Sequence, residues 1–202
     1  MRSLFLLMII FVMLFHSLGS HAQSNGKVVT NMTFGLKLGL NMQEMEGGTT
    51  YETAYKRGLT TGAFISVNRR KHGIRVEAAL RTARFYYLSY PRHTNTTSLD
   101  VPILYEVKVM NRLWLQFGPQ YSGLIKARRY GYGDNNLDVK NRFRNSDLSA
   151  VAGLEVTLPY HLIANVRYVY GLVNVNNTSY IQATPESWRN KAIQISVGYR
   201  FY

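Results

Sequence analysis

Alternation of apolar and polar residues is the dominant pattern of this chain, and it is clearest at the C-terminal end. Between Ala192 and Tyr202, every second position is apolar: Ile193, Ile195, Val197, Tyr199 and Phe201. The positions between them hold Gln194, Ser196, Gly198 and Arg200. Because successive side chains of a β-strand point to opposite faces, this period of two predicts a strand with one apolar and one polar face.

Seven further segments show the same alternation, each with one apolar face and one small or polar face. They are Met32–Asn41, Leu59–Val67, Ile74–Arg81, Leu99–Val109, Leu113–Ser122, Asp147–Thr157 and Leu162–Gly171. Together with the C-terminal segment they give eight predicted strands. An even number of strands is typical of single-chain bacterial outer-membrane barrels.

The connections between these segments are alternately short and long. The short ones are Asn68–Gly73, Met110–Arg112 and Pro159–His161. The long ones are Met42–Gly58, Phe85–Ser98, Ile125–Ser146 and Val173–Lys191. Outer-membrane barrels have short periplasmic turns and longer extracellular loops. The sequence therefore predicts an all-β fold, an eight-stranded antiparallel transmembrane up-and-down β-barrel with both termini on the periplasmic side.

A soluble eight-stranded barrel that encloses a ligand is the alternative, and it would turn its apolar faces inward. Here one face is nearly uncharged from end to end, which suits hydrocarbon. The other face carries the charges Lys37, Arg75, Glu77, Arg81, Glu106, Lys108, Glu155, Arg167 and Arg200. In a barrel interior these residues would pair, because an unpaired buried charge is costly. We expect a salt-bridged plug, with a proton or ion path as the alternative.

The N-terminus has the features of a secretory signal peptide. Arg2 is followed by the apolar run Leu4–Leu18 and by Ser20-His21-Ala22, which has the small-x-small form of a cleavage site. We expect cleavage after Ala22, a barrel domain over residues 23–202 and location in the cell outer membrane. A retained helical anchor is the alternative, but the run is shorter than the ~20 residues of a helical span. The absence of cysteine excludes a lipidated N-terminal cysteine and disulfides.

The charge of the chain favours anionic partners. Its formal net charge is +13, and loss of Arg2 with the signal peptide leaves 13 − 1, or +12. An exported protein meets little nucleic acid, so we expect no nucleic-acid partner. Outer-membrane lipid and lipopolysaccharide are the expected partners. The alternative is that the charge only keeps the loops solvated.

The third long loop combines basic and aromatic residues. The candidate binding residues are Lys126, Arg128, Arg129, Tyr130, Tyr132, Lys140, Arg142 and Arg144. Such side chains suit the phosphates and sugars of lipopolysaccharide, or an acidic protein partner. The alternative is that they coat an extended hairpin whose strands rise above the membrane.

The sequence carries no recognisable catalytic constellation. Small barrels that modify lipid A or phospholipid need a serine with a histidine base, or a comparable set, near the outer rim. His72 and His161 fall in predicted periplasmic turns, and His93 lies in the second long loop without a suitably spaced serine. We therefore predict no enzyme, catalytic residue, metal or cofactor, and we keep a lipid-modifying barrel enzyme as the alternative. A porin-like channel is not expected, because side chains fill so narrow a barrel.

Several short pieces, in order, resemble a known group, the PorT-like outer-membrane barrels of Bacteroidetes. These pieces are Phe34–Asn41, Leu99–Tyr105, Gly118–Tyr121, Tyr170–Leu172 and Gly198–Phe201. The resemblance implies an eight-stranded barrel in the outer membrane. The chain departs from the group by ending at Tyr202, where chains of this kind often end at Phe. The founding member's link to protein secretion does not carry over, because no function-bearing residue can be matched.

The expected function is that of a non-enzymatic integral outer-membrane barrel. Its role would be envelope-structural or accessory to protein export, with an envelope or secretion protein as the candidate partner. A surface adhesin or ligand binder that works through its loops is the further alternative.

Overall fold

The computed structural model of the chain describes residues 30–46, 56–86, 93–131, 134–138, 146–173 and 189–201, and the predicted signal peptide lies outside them. The strands are β1 Thr30–Glu46, β2 Lys56–Arg69, β3 His72–Tyr86, β4 His93–Lys108, β5 Leu113–Gly131, β6 Asp134–Asp138, β7 Ser146–Thr157, β8 Leu162–Gly171 and β9 Arg189–Phe201. The described part of the chain holds no helix that is long and apolar enough to cross a membrane.

Eight of the strands close into one antiparallel barrel. They pair in the order β1, β2, β3, β4, β5, β7, β8 and β9, and β9 pairs with β1. The short strand β6 pairs instead with the end of β5, from Arg128 to Gly131, and forms a hairpin beyond the closed ring. The predicted eight-stranded antiparallel barrel is confirmed, with the hairpin strand added to it.

The seam between the first and last strands depends on a close approach at Gly35. Gly35 lies opposite Arg200 on β9 and Phe64 on β2. A Cβ atom at this position would lie 2.3 Å from the carbonyl oxygen of Tyr199 and 2.5 Å from the ring of Phe64. Since real Cβ atoms do not approach so closely, glycine gives the inward Phe64 ring its space. Along the rest of this seam as far as Met42, outward apolar side chains alternate strictly with inward small or polar ones.

The faces of the barrel are reversed relative to those of a water-soluble protein. Leu38 is 56% exposed on the outside, whereas Arg75 and Glu77 are 0% and 1% exposed on the inside. Large apolar side chains cover the outer wall on every strand of the ring. A continuous apolar surface of this extent is unfavourable in water, and it suits the hydrocarbon core of a bilayer.

The two ends of the barrel differ in their connections. At the turn end, β2 joins β3 through Arg70 and Lys71, and the other two turns span residues 109–112 and 158–161. Arg70 has a φ of 56°, a left-handed conformation that closes a tight turn. The strand ends that flank the long connections all lie at the opposite end, the loop end. In outer-membrane barrels the short turns face the periplasm.

The strands at the loop end are longer than predicted. The ranges Met42–Gly58, Phe85–Ser98, Ile125–Ser146 and Val173–Lys191 were all expected to be loops. Instead β1 continues to Glu46, β4 begins at His93, β5 continues to Gly131 and β9 begins at Arg189. These extensions carry polar residues on both faces, as in Thr94–Thr97. Outside hydrocarbon no apolar face is required, so the alternation that revealed the other strands is missing there.

Candidate functional site

Glu77 joins three strands across the interior. Arg167 on β8 donates from Nη1 and Nη2 to the two carboxylate oxygens of Glu77 on β3, at 2.7 Å each. The ammonium of Lys37 on β1 contacts the same carboxylate. All three side chains are almost completely buried. The paired N–H donors of arginine match the two oxygens of a carboxylate, so this bidentate contact fixes orientation as well as distance.

Glu155 on β7 forms a second centre of ion pairs. Arg75 on β3 donates from Nη2 to Glu155 Oε1 at 2.8 Å, and its Nη1 contacts the other carboxylate oxygen. Arg200 on β9 also contacts Glu155 through Nη2. The Arg75 guanidinium lies over the ring of Phe64, with its Cζ 4.4 Å from the ring centroid. The aromatic face offers this cation a further favourable contact.

Gln116 on β5 connects these two centres. Its Nε2 donates to Glu106 on β4 at 2.7 Å, and its Oε1 accepts from Arg167 Nε at 3.0 Å. Ser66 on β2 donates to the other oxygen of Glu106 at 2.9 Å. The Arg75 Nε lies 2.9 Å from Glu106 Oε1. Each carboxylate therefore has a cation beside it, and Glu106 and Glu155 also accept from uncharged donors.

We call these residues the ion-pair cluster, and every strand of the ring contributes to it. Its members are Lys37, Ser66, Arg75, Glu77, Glu106, Gln116, Glu155, Arg167 and Arg200. Four cations and three carboxylates leave a formal charge of 4 − 3, or +1. Side chains from the whole circumference therefore contact one another across the lumen.

A separate ion pair lies nearer the loop end. Arg81 on β3 donates from Nε and Nη2 to the carboxylate of Asp100 on β4, at 2.7 and 3.2 Å. Its Nη1 donates to Gln43 on β1 at 2.9 Å. The sequence placed Arg81 with the other interior charges. The structure puts it on the interior but in this second group.

Lys108 is the predicted interior charge that stands outside the ion-pair cluster. It is half-buried, and its ammonium lies 6.0 Å from the ring centroid of Trp114 at the turn end. No ion pair within the described ranges of the barrel includes Lys108. The physical reason is its position as the last residue of β4, beyond the level of Glu106, where its ammonium can reach water.

Sequence reasoning missed three uncharged members of the interior, namely Gln116, Ser66 and Phe64. Their signal was present, since each occupies an inward position in the alternation of its strand. Their partners follow only from the register of pairing between strands. An inward phenylalanine also runs against the expectation of a polar lumen.

The predicted loop-binding residues differ in what the structure describes of them. Lys126 is exposed on β5, and Arg128 and Tyr130 are half-buried further along that strand. Arg129 belongs to β5, but its side chain lies outside the description. The residues Tyr132, Lys140, Arg142 and Arg144 fall outside the described ranges. The strand pair β5–β6 agrees with the extended-hairpin alternative for this part of the chain.

The histidines with described side chains lie at the turn end. His72 begins β3, and its Nδ1 lies 2.8 Å from the hydroxyl of Tyr105. His161 belongs to the turn between β7 and β8. His93 begins β4 at the loop end, and its side chain is not described.

Comparison with known proteins agrees with the reversed faces of this barrel. A family model described as "Outer membrane protein beta-barrel domain" matches residues 17–177. The chain belongs to this family. It is an outer-membrane β-barrel protein, and its predicted location in the outer membrane is confirmed.

Solved outer-membrane barrels share the fold of this family member. The attachment invasion locus protein Ail of Yersinia pestis, solved in complex with the heparin analogue sucrose octasulfate, has a TM-score of 0.53 at 14% identity, over 85% of this chain and 99% of Ail. Neisserial surface protein A has a TM-score of 0.55 at 12% identity, over 83% and 97%. Identities this low show a common fold alone. No curated protein matches the chain.

Proposed function

We propose that this outer-membrane protein is a non-enzymatic, non-conducting barrel with a structural role in the envelope, oriented with its loop end outside the cell. The observation that carries the proposal is the ion-pair cluster, to which every strand of the ring contributes. Its placement in the narrower PorT-like group rests on the five sequence pieces quoted above. A role as accessory to protein export stays a prediction.

The cluster supports a structural role because its charges are used in pairing. A porin interior keeps its charged side chains in contact with channel water, whereas these groups are buried and bind one another. Multiple contacts across the lumen tie together strands that are not neighbours in the sheet, such as β3 and β8. A barrel cross-linked in this way is a rigid unit that acts through its outer surface and its loops.

The positions of His72 and His161 also favour a non-enzymatic role. Lipid A is found in the outer leaflet, which in the proposed orientation is at the loop end. The side chains of His72 and His161 are at the opposite end, and His72 interacts with Tyr105. His93 begins β4 at the loop end, but no serine lies at a suitable spacing from it in the sequence. A histidine base acting on lipid A would have to lie within hydrogen-bond reach of the reacting group.

Binding of polyanions through the hairpin is the second candidate function. Lys126 is exposed on the part of β5 that leads into the hairpin, and Arg128 follows two positions later. For Ail, a complex with a heparin analogue has been solved. The basic residues of this chain support a ligand of the same anionic class, either sulfated or phosphorylated.

Conductance measurements test the non-conducting role. The purified full-length barrel, inserted into planar lipid bilayers, is expected to produce no reproducible stepwise current. A porin inserted under identical conditions supplies the positive control, and heat-dependent mobility on a gel verifies that the barrel is folded. Reproducible steps from folded wild-type protein, with a conductance comparable to that of the porin, would contradict the proposal.

A further inference from the structure

A row of three arginines and one asparagine crosses the outer wall at the loop end. Arg57 on β2 lies directly opposite Arg84 on β3, Arg84 opposite Asn95 on β4, and Asn95 opposite Arg128 on β5. We call these four residues the arginine row. They belong to four strands, and their alignment is set by the strand register.

The side chains of the arginine row point away from the lumen. Their neighbours along the strands, Ala83, Thr94 and Ala127, are buried on the inside. Because side chains alternate along a strand, the row itself faces outward. Arg57 and Arg84 are exposed, while Asn95 and Arg128 are half-buried.

Within the row, Arg57 and Arg84 form a like-charge pair. Directly opposed residues of an antiparallel pair have Cβ atoms roughly 4.5–5.5 Å apart, and like charges there destabilise the sheet. Their other neighbours in register are the uncharged Met42 and Asn95. Among the residues directly opposite members of the row, the carboxylate residue is Asp138, which pairs with Arg128 at the far end, while Glu44 lies diagonal to Arg57, two residues beyond Met42 on β1. An anion between the two arginines would turn this repulsion into attraction.

Arg84 is also held in place for such an anion. Its Nε donates to the Oδ1 of Asn95 at 3.1 Å. This bond uses only Nε, so the two terminal nitrogens of the guanidinium are not part of it. Arginine binds phosphate in a bidentate manner through such nitrogens, and a fixed guanidinium loses less side-chain entropy on binding.

The row lies just above the apolar band of the wall. Leu59, two residues from Arg57 on β2, is exposed and apolar, as is Leu80 on β3. Two residues of a strand span roughly 6.6 Å, so the guanidinium groups are at the height where hydrocarbon gives way to head groups. In the orientation of the proposed function, on which this step rests, these are the head groups of the outer leaflet.

We propose that the arginine row binds the phosphate groups of lipopolysaccharide, with a phosphate placed between Arg57 and Arg84. The row faces sideways into the leaflet, so the ligand is a lipid that surrounds the barrel. The phosphate position between Arg57 and Arg84 is separate from the hairpin, because these residues belong to β2 and β3, whereas Arg128 at the far end of the row leads into the hairpin. Lys126 lies opposite Thr97, two residues along the strands from the pair Asn95–Arg128, and adds positive charge on the same wall.

Binding of defined lipopolysaccharides to the full-length barrel in detergent tests this inference. The variant R57Q/R84Q is expected to bind phosphorylated lipopolysaccharide about tenfold more weakly or worse, because charge-assisted bonds to phosphate are roughly twice as strong as neutral ones. The matched control R69Q/R70Q removes the same charge from exposed residues at the turn end. It should bind within about twofold of wild type, because the lipid does not reach that end.

Four comparisons decide the outcome. Wild-type protein should bind enzymatically dephosphorylated lipopolysaccharide as weakly as R57Q/R84Q does. The single variant R57Q, in detergent without lipopolysaccharide, should be at least as stable to urea as wild type. Heat-dependent mobility of R57Q/R84Q on a gel should show that its loss of binding is not a loss of folding. Equal binding by R57Q/R84Q and R69Q/R70Q would overturn the site. Full competition by millimolar inorganic phosphate would assign it to free phosphate instead of lipid. Neither result bears on conductance, which tests the proposed function separately.

Discussion

Replacing Glu77 by glutamine is expected to lower the free energy of unfolding by about 3–5 kcal/mol, the cost of breaking a buried ion pair from one side. Glu77 is 1% exposed and contacts the cations of Lys37, Arg75 and Arg167. Glutamine has nearly the same shape, so the loss comes from charge. The formal charge of the ion-pair cluster, whose side chains are buried, would rise from +1 to +2. Urea unfolding of the barrel in lipid vesicles measures this change.

Two further variants separate the cluster from a general effect of charge. Asp100→Asn removes a carboxylate from the pair at the loop end, where the Arg81 side chain is 14% exposed. Because water can reach that arginine, we expect a smaller cost, of about 1–3 kcal/mol. The double variant K37M/E77Q returns the cluster to +1 and should recover part of the stability lost in E77Q. A cost below about 1 kcal/mol for E77Q would show that the cluster does not hold the barrel together.

Replacing Leu38 by arginine is expected to cost about 2–4 kcal/mol of unfolding free energy in lipid vesicles, the range for a charge on the lipid face near the midplane. The outward apolar side chains of β1 run from Met32 to Met42, so Leu38 lies near the middle of the band. The leucine is already 56% exposed, so the substitution leaves no buried cavity. The cost therefore measures only the transfer of arginine into hydrocarbon.

Met32 supplies the matched control for this substitution. It lies on the same face of β1, is 62% exposed, and is near the turn end. Met32→Arg should cost about 0–1 kcal/mol, because arginine there can reach the interface. On a barrel that faces water, both substitutions would have small and equal effects. Equal costs at the two positions would therefore contradict a membrane-spanning wall.

The ring of strands could be predicted from the sequence because the two faces of each strand contact different environments. Between hydrocarbon and a packed lumen, one face must be apolar and the other must be polar or small, as in Ala192–Tyr202. At the loop end the outer face lies beyond hydrocarbon and need not be apolar, and segments such as Thr94–Thr97 are polar throughout. The loop-end extensions of the strands and the short strand β6 therefore lack the alternation of apolar and polar residues that predicted the rest of the ring.

Interior positions were also predictable, while the contacts among them were not. Alternation alone places Glu77 and Arg167 in the lumen, but they are 90 residues apart in the chain. Their pairing depends on strand tilt and stagger, which the sequence pattern does not specify. The arginine row depends on register in the same way, because Arg57 and Arg84 become neighbours only when β2 and β3 pair. Lys108 also occupies an inward position, but it lies at a strand end, where its charge can face water.

The most direct test of the reversed barrel is the accessibility of spin labels along β9. The chain has no native cysteine, so single cysteines can be placed at Ile193, Gln194, Ile195, Ser196 and Val197 without other changes. In lipid vesicles, labels at 193, 195 and 197 should collide readily with oxygen, which partitions into hydrocarbon, and rarely with a water-soluble nickel complex. Labels at 194 and 196 should be shielded from both reagents. Ready collision of the nickel complex with labels at 193, 195 and 197 would contradict the account, because it would place the apolar wall in water.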